Sequence, residues 1–126
     1  MSQLGSGKQL RLIYRMTRDG VMGKDFHAKC DDKGPTFSVF KTTKGKRCGG
    51  YTSLSWENTV GGKQKDDSSA FLLSFDNSMR FNVNKTSDAI SCNSEFGPWF
   101  GFSHLGAWEP FDYEDRCVCF ARYSHY

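Results

Sequence analysis

The most apolar stretch of the chain, Ala70-Phe71-Leu72-Leu73-Ser74-Phe75, is six residues long and runs straight into Asp76-Asn77-Ser78. Six residues are too few for a core helix and far short of the roughly 20 that cross a bilayer. The length and the turn residues predict a central strand, buried on both faces, with Phe71, Leu73 and Phe75 in the core. Met79 to Val83 alternates apolar and polar beyond the turn, so the two segments form a hairpin.

The same reading extends to both sides. Leu10, Leu12 and Tyr14 alternate with polar residues over Gln9–Arg15, which predicts a half-buried strand with these three on one face. Arg18-Asp19-Gly20 is a turn signal. Val21 to Lys29 is the helix candidate, because Met22, Phe26 and Cys30 recur every four residues and give one apolar stripe. Asp25 suits the helix start and Lys29 its end, and Gly34-Pro35 stops it.

Thr36–Lys41 and Arg47–Ser53 then read as strands joined by a turn at Lys44-Gly45. Gly49-Gly50 inside the second marks a bulge or a close approach to the backbone. Residues 60–69 are rich in Gly, Lys and Asp and read as a loop, as does the aromatic stretch around Trp99 and Trp108. Short strands follow at Ile90–Cys92 and Cys117–Ala121.

With 126 residues the chain is one domain. About seven or more short strands with close turns and one or two small flanking helices predict a mainly β (α+β) fold, an antiparallel β-sandwich. Residues 1–8 read as a flexible lead and 9–126 as the domain. No apolar leader opens the sequence, so the expected compartment is cytoplasmic, without membrane insertion.

Five cysteines, Cys30, Cys48, Cys92, Cys117 and Cys119, make an odd set, which argues for reduced thiols over a disulfide framework. Only Cys117 and Cys119 are close-spaced. On a strand they share a face and read as small core residues, so no metal and no cofactor is expected. Gly5-Ser6-Gly7-Lys8 lacks the strand before and the helix after that a phosphate-binding loop needs. Of the three histidines, His27 falls on the helix and His125 beside the last residue. His104, in the loop that begins at Gly101, is the one placed for chemistry. No nucleophile, base and orienting group converge, and no Gly-x-Ser-x-Gly elbow exists, so the chain does not read as an enzyme. Glu109, Asp112, Glu114 and Asp115 read as a solvated acidic loop.

Charge is distributed unevenly. Residues 1–65 hold 13 Lys/Arg against 5 Asp/Glu, and residues 66–126 hold 4 against 9. Lys41, Lys44, Lys46 and Arg47 concentrate the positive charge on one hairpin. A basic patch there fits an acidic protein surface. Nucleic acid is disfavoured, since no base-stacking motif accompanies it. Trp99, Phe100, Phe102 and Trp108 read first as a mostly buried cluster, and Trp99 and Trp108 are the aromatic anchors such an interface would use. The competing reading is that the lysines only keep a sheet edge soluble.

Four motifs in order resemble the TLDc domain family, especially its protist branch. Arg18-Asp19-Gly20 with Lys24–Asp31 and Lys33-Gly34-Pro35-Thr36 is similar to its opening. Cys48-Gly49-Gly50-Tyr51-Thr52-Ser53 with Trp56 is similar to its glycine–tyrosine signature. Ala70–Ser74 resembles its apolar strand, and Phe96-Gly97-Pro98 with Phe100-Gly101 and His104 resembles its glycine-rich loop. Gly34, Pro35, Gly49, Gly50, Trp56 and Phe71 carry the structural motif. The sequence departs from the pattern at Phe102 and Ser103, where glycines are usual, and at Leu105, where Asp is usual. It also ends before the family's usual last segment.

The resemblance implies a β-sandwich with small helices. It implies a non-catalytic protein-interaction module tied to oxidative-stress resistance and to regulation of the vacuolar-type proton ATPase or another large assembly, peripheral to an organelle. Two alternatives stand beside it: an enzyme or redox-reactive protein using His104 or a reactive Cys, and a structural subunit of a larger protist assembly.

Overall fold

The computed structural model describes residues 8–41, 45–82, 88–101, 105–108 and 116–124. The fold is mainly β and antiparallel. In chain order the elements are β1 (Lys8–Arg15), α1 (Met16–Asp19), α2 (Gly23–Cys30), β2 (Thr36–Lys41), β3 (Arg47–Thr52), β4 (Lys63–Lys65), β5 (Phe71–Ser74), β6 (Met79–Asn82), β7 (Ile90–Cys92), β8 (Phe96–Phe100), β9 (Leu105–Trp108) and β10 (Arg116–Ser124). Six strands form one sheet in the order β1-β10-β2-β3-β5-β6, and four form a second in the order β4-β7-β8-β9.

The register assigns the two faces of the larger sheet. Phe40, across from Cys48, belongs to the main core with Tyr14, Met16, Phe26, Cys30, Trp56, Ile90, Cys92 and Phe100. This core lies between the sheets and under α2. Phe37, Tyr51 and Phe71 are direct cross-strand partners in one row across β2, β3 and β5 and make a second apolar cluster on the opposite face. Aromatic rings lock both layers: Trp56 meets Phe26 and Phe100 edge-on, and Tyr51 stacks on Phe71.

The apolar stripe of α2 behaves as its spacing predicts, since Phe26 and Cys30 are fully buried. Met22 only precedes the helix, which starts at Gly23. The Asp25 carboxylate accepts a hydrogen bond from the Met22 N–H at 3.1 Å, satisfying a group that has no intrahelical partner. Gly34 and Pro35 lie beyond the helix end, where the Gly34 N–H donates to Ser55 Oγ at 2.8 Å.

Several elements differ from the sequence reading. Arg18-Asp19 closes a one-turn helix, α1, ending at Gly20. Leu10, Leu12 and Tyr14 do not share a face. Leu12 pairs with Phe120 and Tyr14 with Cys119, so Ile13 is an extra residue and β1 is bulged there. One inserted residue reverses the alternation. Leu10 therefore packs on the Phe37 cluster while Tyr14 enters the main core. Gly49-Gly50 is the converse case: the β2–β3 register runs unbroken, and the glycines mark close approach. The Phe100 ring lies over Gly50, where a Cβ would stand 2.5 Å from Cε2 and Cζ.

Loop 60–69 contains β4, and the aromatic stretch is paired as β8 and β9. Ten strands are thus present among the described residues where about seven short ones are countable from turn signals. Lys8, assigned to the flexible lead, opens β1. Finally, β5 is not buried on both faces. Phe71 is buried, Leu73 is partly buried, and Phe75 is 39% exposed. Phe75 lies past the end of β5, in the turn to β6, where no second layer covers it.

Candidate docking surface

Among the described residues, His27 and Asp67 are buried and hydrogen-bonded. His27 is buried, with Nδ1 at 2.6 Å from Asp31 Oδ1 and Nε2 at 2.8 Å from the Asn93 carbonyl. It ties α2 to the turn before β8. Asp67 accepts hydrogen bonds from the Thr52 and Ser53 hydroxyls at 2.6 and 2.8 Å, and from the Ser53 and Ser69 N–H groups. Burial pushes its carboxyl up, but these four donors outweigh burial and hold it below the usual value. Burial pushes the Cys92 thiol up, which favours the unreactive thiol form. Cys30 is equally buried, and Cys48 is half-buried. Among the described residues no three His, Cys, Asp or Glu side chains gather as metal ligands. His104 lies outside the described residues.

The surface is more distinctive. Among the described residues the large apolar side chains left exposed are Val60, Phe75, Met79 and Phe81, so three of the four sit on the β5–β6 hairpin. Met79 and Phe81 are half exposed, at 49% and 50%. They pair with Ser74 and Leu72, on the face that carries the main core nearer the centre. β6 is the last strand of the larger sheet, and these two side chains remain exposed on it. Arg80, between them, turns to the other face and sets its guanidinium 3.9 Å from the centroid of the Phe71 ring.

The basic hairpin adjoins this edge. The Phe75 N–H donates to the Arg47 carbonyl at 3.1 Å, and the Arg47 N–H donates to Asp76 Oδ2 at 2.6 Å. Lys41, Lys46 and Arg47 are exposed. Lys44 lies outside the described residues. Phe75, expected in the core, is instead exposed, and the sequence reading does not single out Met79, Phe81 and Arg80 as surface residues. A signal existed in the alternation of Met79 and Phe81, but it does not say which face of an edge strand a second layer leaves uncovered.

The expected tryptophan anchors sit elsewhere. Phe100 faces the main core, so Trp99, one residue away on β8, points to the outer face of the smaller sheet. It is half-buried and stacked on Phe96, with ring centroids 4.2 Å apart. Its ring lies flat over Gly106 on β9, in space a Cβ would fill. Trp108 is on β9 opposite Phe96, and Gly101 follows β8 with φ 68°. Trp99 packs on its own sheet, whereas Lys41 and Arg47 lie at the end of the larger one.

No helix among the described residues is long and apolar enough to cross a membrane. No curated protein matches the sequence. The TLDc domain model matches residues 2–118, a span that includes the buried Trp56, the Gly49-Gly50 pair beneath Phe100 and every strand except most of β10. The chain belongs to the TLDc domain family.

Proposed function

We propose that this TLDc domain is a non-catalytic protein-binding module whose contact surface is the β5–β6 hairpin together with the adjoining basic hairpin. The observation that carries the reading is the concentration of exposed Phe75, Met79 and Phe81 on the β5–β6 hairpin at one rim of the larger sheet, Met79 and Phe81 on one face and Phe75 on the other. An open edge with apolar side chains is an aggregation hazard unless a partner covers it. Lys41, Lys46 and Arg47 lie at the adjoining end of the hairpin β2–β3, next to Phe75, where charge raises association rate and apolar anchors supply affinity.

The partner we favour is the cytosolic sector of the vacuolar-type proton ATPase, with a role in oxidative-stress resistance at the cytoplasmic face of an organelle. Support comes from membership of the family together with what the four motifs imply. The burial of Cys30, Cys92 and His27 speaks for binding over nucleophilic chemistry.

The test measures binding of the purified domain to the purified cytosolic ATPase sector by interferometry, alongside affinity purification from the cells that make it. Wild type is expected to bind, and the pair M79S/F81S to lose binding while its circular dichroism is unchanged. Equal binding by the folded pair variant rejects this surface. No binding by wild type, with other partners recovered from cells, rejects the ATPase.

A further inference from the structure

On the face that carries Phe37, Tyr51 and Phe71, the register sets two cations side by side. Lys41 is the direct partner of Arg47 across β2 and β3, and both are exposed. Arg116 occupies the position opposite Lys41 on β10. Like charges on directly opposed residues destabilise a sheet. Asp76 is the carboxylate at hand, and its Oδ1 stands 3.9 Å from the Arg47 guanidinium, beyond hydrogen-bond distance. Lys41 has no ion-pair partner among the described residues.

Phe75 flanks this pair on the same face. It follows Leu73 by two residues, meets Phe37 edge-on at 6.1 Å, and its N–H binds the Arg47 carbonyl. Arg80, the partner of Leu73, closes the far side over Phe71. An exposed ring is therefore framed by three cations at the end of a sheet whose central strands are fixed on both sides.

We infer that this face binds an acidic α-helix of a protein partner, lying across the strands so that carboxylates one turn apart meet Lys41 and Arg47 while an apolar residue covers Phe75. The inference rests on the protein-binding reading and adds the chemistry of the partner. The spacing of the two cations matches one helical turn. Directly opposed residues in a sheet hold their Cβ atoms about 4.5–5.5 Å apart. Residues at i and i+4 of a helix likewise hold their Cβ atoms about 5–6 Å apart, so Glu side chains there can reach both cations. Alternate residues of an extended strand, at about 3.3 Å rise each, stand nearer 6.6 Å. The ring at the centre selects protein over duplex nucleic acid, which recruits wide basic fields, and the chain carries a net charge of only +3.

The probe is a synthetic alanine-based helix with Glu at i, i+4 and i+8 and one Leu, fluorescently labelled, with a Gln-for-Glu version as control. A DNA duplex and vesicles of anionic lipid form two further arms. Wild type is expected to bind the Glu helix, more weakly as salt rises, and to bind the Gln helix, duplex and vesicles less well. K41E/R47E should weaken Glu-helix binding roughly tenfold or more, F75A should weaken it with the salt dependence intact, and K41R should bind as wild type. Equal binding of Glu and Gln helices, preference for duplex or vesicles, or a K41E/R47E variant that is folded and binds normally overturns the inference. Run against the ATPase sector, loss in M79S/F81S with none in K41E/R47E would retain the protein-binding reading and reject the acidic helix.

Discussion

Gly50 and Phe100 are in contact across the two sheets, the ring resting where any side chain at Gly50 would begin. A Cβ there stands 2.5 Å from two ring carbons, and Phe100 is itself packed edge-on against buried Trp56. Gly50→Ala is expected to lower stability by about 1–3 kcal/mol through overpacking. Urea unfolding of G50A beside G50A/F100L measures it, because a smaller partner should return part of the loss. An unchanged midpoint for G50A would contradict the packing described.

Trp56 is fully buried and donates its indole N–H to Thr36 Oγ1 at 2.8 Å. Truncation to Ala removes both ring and donor and should cost about 3–5 kcal/mol. W56F keeps most of the ring and leaves the Thr36 hydroxyl without its donor, a smaller loss of about 1–3 kcal/mol. The double variant W56F/T36V should recover stability relative to W56F, and a denaturation cycle over the four proteins is the measurement.

Asp67 gives the fold an acid limit. Its folded carboxyl lies below the usual value because Thr52, Ser53 and Ser69 donors outweigh burial. The unfolded chain then takes up the proton first as pH falls. The stabilisation is present above about pH 4, near the unfolded carboxylate value, and is lost as pH drops through the lower folded value. D67N should be less stable than wild type at pH 7, and the gap should narrow by pH 3. Urea midpoints at the two pH values decide it; a gap that widens in acid would reverse the assignment.

Cysteine labelling should follow burial. Cys30 and Cys92 are in the main core, and burial holds the Cys92 thiol up. Cys48 is half-buried on β3. Iodoacetamide at pH 8 followed by peptide mass spectrometry is expected to modify Cys48 well before Cys30 or Cys92, with the last two labelled only as urea approaches the unfolding midpoint. Fast labelling of Cys92 in the native protein would place it outside the core and revive a redox role.

What the sequence determined by itself is local. Alternation with a turn between Thr36 and Thr52, the apolar run from Phe71, and the four-residue spacing of Phe26 and Cys30 each identify an element, because side-chain period follows backbone geometry. The TLDc motifs at Gly49-Gly50, Trp56 and Phe71 are legible for the same reason, being short and contiguous.

Tertiary structure decided what no window of residues contains. One extra residue at Ile13 sends Tyr14 to the opposite face from Leu10, and the choice depends on pairing with β10, more than 100 positions away. The strands β4, β8 and β9 lack a strong period of their own and exist through their partners. Met79 and Phe81 stand on the face of β6 that continues the main-core side, and Phe75 on the opposite face, so three residues apolar enough for any core are on the surface at the rim of the larger sheet. Lys41 and Arg47, six residues apart in the chain, become direct neighbours only because the hairpin pairs in that register.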